Sequence, residues 1–109
     1  IKLKTLCLAR SGDKGNTSNI GVIARNEVIY DFLNEFLTAH QVKEWFTDLC
    51  KGEVIRYDIP ELHSFNFMLL DSLDGGGTKA LRIDAQGKTF AAALLNQSIK
   101  VPNEVLKSL

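Results

Sequence analysis

Apolar residues along this chain alternate in some stretches and recur at helical spacing in others. Lys2 to Ala9 alternates, with Leu6 and Leu8 on one side and Thr5, Cys7 and Ala9 on the other, so a strand is expected there. Ile20 to Arg25 predicts a second strand. Ile20, Val22 and Ala24 share one face and Ile23 lies on the other, the pattern of an inner strand covered on both sides. Asn26 is placed to cap a helix whose stripe is Val28, Ile29, Phe32, Leu33, Phe36 and Leu37. Thr38 with Gln41 matches a capping box for a second helix, with Val42, Trp45, Phe46 and Leu49 as its stripe. Gly52 stands where a left-handed helix stop is expected.

Glu53 to Ile59 reads as a strand, Ile55, Tyr57 and Ile59 alternating with Val54, Arg56 and Asp58. Pro60 ends it and can open a helix at its first position. Leu62, Phe65, Leu69 and Leu73 fit that third helix, widened by Phe67, Met68 and Leu70. Asp74 to Gly77 breaks it, Lys79 to Ala85 predicts a strand, and Gln86-Gly87 a turn. Lys88 to Asn96 predicts a short helix through Phe90, Ala93 and Leu94, and Ser98 to Val101 a last short strand before Pro102. Strands and helices mix without strict alternation. The order predicts an α+β two-layer sandwich, a mostly antiparallel sheet with helices on one face, and not a doubly wound parallel sheet.

At 109 residues the chain makes one domain, residues 1–109, with no repeat or linker dividing it. It is 45% hydrophobic and 24% charged, the ordinary globular range. Formal net charge is zero and no basic stripe appears, so neither nucleic acid nor a membrane surface is expected as a partner. No apolar run approaches the ~20 residues that span a bilayer, and no signal peptide is visible. Cys7 and Cys50 lack the close spacing of a metal or redox pair and are expected as buried reduced thiols of a cytoplasmic protein.

Three polar, glycine-rich places carry the candidate chemistry. Between Ala9 and Ile20 the chain offers Arg10, Ser11, Lys14 and Thr17 with the backbone amides of Gly12 and Gly15. A hairpin needs only about two to five connecting residues, so this stretch reads as an enlarged loop able to hold a phosphate or carboxylate. A solvated hairpin, its turns closed by Asp13 and Asn16, fits the composition equally well. The second place is Gly75, Gly76 and Gly77, where backbone approaches closely or a helix simply stops. They follow a predicted helix and lead into a strand, the wrong order for a dinucleotide fingerprint. The third is Arg82 and Asp84 with Gln86 to Thr89; position 82 is Arg where a P-loop needs Gly. His40 and His63 sit in no ligand cluster and are expected at the surface or in packing. Neither a metal nor a cofactor is expected.

The run Ala9 to Asn16, then Asn19-Ile20-Gly21, Leu62 with Asn66-Phe67, the glycines 75 to 77, and Leu81 to Thr89 resemble, in order and spacing, the C-terminal domain of the acyclic terpene utilisation protein A (AtuA-like) family. The similarity covers nearly the whole chain. It implies a ferredoxin-like fold and a setting in the catabolism of branched acyl compounds, beside acyl-CoA enzymes. In longer members a large N-terminal domain precedes this one, and its activity is not carried over. The motif positions that carry over are Arg10, Ser11, Asp13, Lys14, Asn16 and Asn19, then Asn66, Gly75, Gly76 and Gly77, then Arg82, Asp84 and Lys88, with Gly12, Gly15 and Gln86.

Generic turns would not require Arg10, Lys14, Arg82 and Asp84 together, so one composite site is expected. The first functional expectation is a small accessory module that binds a small anionic ligand in acyl-compound metabolism, Arg10 and Lys14 holding the anion. The second is a non-enzymatic assembly module, forming a homo-oligomer or joining a larger AtuA-type subunit. A stand-alone lyase or hydratase using Asp13 or Asp84 as base is the third.

Overall fold

The computed structural model describes residues 1–71 and 90–109, and among these the architecture is four strands with helices packed on one side. The expected strand at 79–85, the turn at 86–87 and the break at 74–77 lie outside the described residues. The sheet order is β1 (Cys7–Lys14), β2 (Thr17–Ala24), β4 (Ser64–Leu69), β3 (Val54–Ile59), with every neighbouring pair antiparallel. This is the expected α+β sandwich, with β2 and β4 at its centre.

Several boundaries differ from the sequence reading, each for a physical reason. The first predicted strand divides. Lys2 bridges Ser98 and Leu3–Thr5 makes one 3-10 turn before β1 begins at Cys7. The stretch read as an enlarged loop is instead the far half of a long hairpin. Arg10 pairs with Gly21, Gly12 with Asn19 and Lys14 with Thr17, which leaves only Gly15 and Asn16 to turn. Gly15 has φ 61° while Asn16 does not enter the positive region, as in a type II′ turn with glycine first.

Asn26 caps α1 (Glu27–Phe36) as expected, accepting from the Ile29 amide at 2.8 Å. Thr38 caps α2 (Ala39–Trp45) through the Gln41 amide at 3.0 Å. Gly52 is no left-handed stop. Its amide donates to Leu70 O at 3.1 Å, and a Cβ built on it would lie 2.6 Å from that oxygen, so the position excludes a side chain by close approach. The predicted third helix is wrong beyond its first turn. Pro60–Leu62 forms one 3-10 turn, His63 takes φ 51°, and the chain continues as β4. Phe65, Phe67 and Leu69 are the buried alternate positions of that strand, and their period of two prevails over the helical spacing of Leu62, Phe65 and Leu69.

Residues 90–95 are helical (α3), within the predicted helix, and Asn103–Leu106 adds a short α4 that the pattern did not suggest. The core lies between the sheet and the helices. Ile20, Val22, Phe65, Phe67 and Leu69 face Ile29, Leu33, Leu37, Val42 and Leu94, all fully or almost fully buried. Phe46 meets Phe90 edge-on at 5.4 Å, seating α3 against the end of α2. The ends close together: the Ile1 amine donates to Ile99 O at 2.9 Å, and Asn26 Nδ2 donates to Ser108 O at 3.1 Å.

Candidate functional site

Helices cover one face of the sheet, and the pairing register fixes what stands on the other. Side chains alternate along each strand, and directly paired residues share a face. Three rows therefore cross the open face. One is Leu8, Ile23, Ser64 and Ile59; the next is Arg10, Gly21, Asn66 and Tyr57; the third is Gly12, Asn19, Met68 and Ile55.

The polarity of β3 is inverted relative to a simple core strand. Arg56 and Asp58 stand on the helix side, while Tyr57 and Ile59, the apolar set, point out and are 52% and 37% exposed. Arg56 is used structurally. It donates to the carbonyls of Asn34 (2.9 Å) and Leu37 (3.0 Å) at the end of α1, pairs with Asp58 at 2.8 Å, and lies 4.9 Å over the Phe65 ring. Orphan carbonyls at a helix end are satisfied this way, so a charge can occupy the inner face.

On the open face the first row, with Arg10, Gly21 and Asn66 of the second, borders a groove of ≈ 560 Å³ that Leu62 also lines. Gly21 makes the hollow. It stands between Arg10 and Asn66 in one row, and a Cβ there would find no atom nearer than Arg10 O at 3.9 Å. Arg10 is exposed, and among the described residues neither a hydrogen bond nor an ion pair engages its guanidinium. Asn19 Nδ2 donates to Asn66 Oδ1 at 3.1 Å, and among the described residues Asn66 Nδ2 reaches only the Met68 thioether at 3.7 Å, a weak acceptor. Gly12 gives the Asn19 carboxamide room; its oxygen lies 3.1 Å from where a Gly12 Cβ would sit.

The strand alternation divides the residues singled out from sequence. Arg10, Asn19 and Asn66 meet on the open face. Ser11 and Asp13 stand on the helix side, where Ser11 Oγ accepts the Ala91 amide at 3.1 Å and Asp13 is exposed opposite Ser18. Asn16, at the turn, donates from Nδ2 to Asp71 Oδ1. Lys14 closes β1 opposite Thr17. Gly75, Gly76, Gly77, Arg82, Asp84 and Lys88 lie outside the described residues. The apolar wall of Leu8, Ile23, Ile59 and Leu62 is not among the candidates singled out from sequence. Its signal was present in the apolar Ile23 and in the alternation of Ile55, Tyr57 and Ile59.

Other reactive groups are held inert. Burial pushes the Cys7 thiol up to about 12, with nearby Arg25 opposing it weakly, and burial likewise raises Cys50 against the smaller pull of Lys43. Both are free, buried thiols. His40 pairs with Glu44 at the surface, and His63 packs on Tyr30 with ring centroids 5.7 Å apart. Among the described residues no three of His, Cys, Asp or Glu group as metal ligands, and no helix is long and apolar enough to cross a membrane.

No curated protein and no solved structure matches the chain. The sequence pattern that defines the AtuA ferredoxin-like domain does, over residues 1–100 of the 109. The four antiparallel strands with helices on one side among the described residues are consistent with that fold, and the chain belongs to the AtuA ferredoxin-like domain family.

Proposed function

We propose that this domain is a ligand-binding accessory module in acyl-compound metabolism, working in the cytoplasm, with the open sheet face as its working surface. The observation that carries this reading is a guanidinium, Arg10, that none of the described residues engages, bordering an apolar groove beside Asn66, whose carboxamide donor meets only a thioether among those residues. Ligand sites are typically apolar clefts of about 300–1,000 Å³ with a few convergent polar groups, and this groove fits that description. Arg10 would hold an anionic group while the groove takes an acyl portion. Thermal shift against CoA esters and small acids tests it. A rise in melting temperature with at least one of them, lost in Arg10→Ala, is expected; no response to any of them removes the reading.

A second reading has its own support. Leu8, Ile23, Tyr57 and Leu62 are each at least half exposed on or beside one face, and exposed apolar clusters mark interaction surfaces. The domain would then be an assembly module, forming a homo-oligomer or seating on a larger AtuA-type subunit. Sedimentation separates the two readings: a monomer that captures no such subunit argues against assembly.

A further inference from the structure

We infer that the groove's occupant is a free, ionised medium-chain carboxylic acid, its carboxylate held by Arg10 and Asn66. This deepens the ligand-binding reading and rests on it. Charge is the first reason. Arg10 is the one cation that borders the groove among the described residues, and it matches a single negative charge. A nucleotide-bearing ester would bring several phosphate charges to the same place.

Donor geometry is the second reason. A guanidinium presents two parallel N–H groups to a carboxylate. Asn66 stands in the same cross-strand row, with only side-chain-less Gly21 between. Asn19 occupies the Asn66 oxygen, which leaves the Asn66 NH₂, 3.7 Å from the Met68 thioether, as the carboxamide group that can donate to a carboxylate, and makes Asn19 a positioning residue. The third reason is what the rest of the groove lacks. Ser64, the remaining polar side chain among its described lining residues, donates its hydroxyl to Leu62 O at 2.8 Å. Beyond Arg10 and Asn66 the lining of Leu8, Ile23, Ile59 and Leu62 offers a ligand only hydrocarbon contact. From β1 to β3 this surface crosses three strand spacings, about 14 Å, which suits a medium-length chain.

The test is amide-resolved NMR titration of the whole chain with octanoate, 1-octanol and coenzyme A, on wild type, Arg10→Met and Gly21→Val. Gly21→Val is suitable because a Cβ at that position meets nothing closer than 3.9 Å. Octanoate should shift the open-face residues of β1, β2 and β4, with octanol bound roughly tenfold or more weakly, since a charge-assisted contact is lost. Arg10→Met should bring octanoate down to the octanol level and leave octanol unchanged, and Gly21→Val should abolish both. Tighter binding of coenzyme A, or octanoate binding that ignores Arg10, overturns the carboxylate assignment while leaving a ligand-binding domain. Silence of the open face toward all three probes overturns both. So does a dimer that buries this face and dissociates in Tyr57→Glu.

Discussion

Two glycines of this fold should respond to the same substitution in opposite directions. At Gly52 a Cβ would sit 2.6 Å from Leu70 O and 2.9 Å from Leu70 C, both backbone, and 3.1 Å from Asp71 Cβ. No rotamer relieves that contact, so the two chains must separate. The separation strains Gly52 N–H to Leu70 O (3.1 Å) and Lys51 N–H to Asp71 O (3.0 Å), which join the loop after α2 to the end of β4. It also disturbs Lys43 Nζ on Gly52 O (2.6 Å). With about 1 kcal/mol net for each hydrogen bond lost, less the ~0.4–1 kcal/mol that alanine gains through the unfolded state, Gly52→Ala should destabilise by roughly 2–3 kcal/mol. Gly21→Ala meets only Arg10 O at 3.9 Å and needs no unusual φ. It should be neutral or stabilise by up to about 1 kcal/mol. Urea unfolding followed by Trp45 fluorescence reads both, with an unchanged m-value as the check on two-state behaviour. A Gly52→Ala midpoint indistinguishable from wild type would refute the close-approach reasoning, as would a Gly21→Ala that falls alongside it.

Three further outcomes are expected. The folded Cys7 pKa is raised, so its contribution to stability is complete below the ordinary thiol value near 9 and is lost as pH climbs toward about 12. Urea midpoints should therefore fall above pH 9, by about 1.4 kcal/mol per pH unit for this one group, and Cys7→Ala should flatten that decline relative to its own value at pH 7. Arg56→Met leaves the Asn34 and Leu37 carbonyls without their donor and should cost about 2–3 kcal/mol. Arg56→Lys should recover only part of it in the same assay, since an ammonium cannot fork. Asn26→Ala removes the α1 cap and the tie to Ser108; thermal unfolding should show a loss of about 1–2 kcal/mol.

Where one periodicity dominated, the sequence was a reliable guide. The α1 stripe, both helix caps and the β3 boundaries follow from side-chain spacing and hydrogen-bonding chemistry, and the layer arrangement follows from their order. The far half of the β1–β2 hairpin was hidden because Arg10, Gly12 and Lys14 alternate with Ser11 and Asp13, so neither side of that stretch is apolar. Polar alternation projecting beyond a core looks the same in sequence as a loop. β4 was hidden for the opposite reason: with Met68 and Leu70 apolar as well, its buried Phe65, Phe67 and Leu69 fit two periods at once. For the site, Arg10 was visible from local composition, and Asn19 and Asn66 only through family resemblance. That Arg10 and Asn66 share a row depends on strand register, which no local pattern states. The grouping of Ser11 and Asp13 with Arg10 failed for the same reason, since a strand sends neighbours to opposite sides.

On the proposed ligand-binding reading, the inverted polarity of β3 makes role and foldedness genetically separable. Val54, Arg56 and Asp58 bear on the core and the end of α1, whereas Tyr57 and Ile59, with Ile55 on the same side, add little to either. A saturation scan across these six codons should thus oscillate with a period of two. Cellular abundance should drop at one parity, and phenotype without loss of abundance should appear at the other.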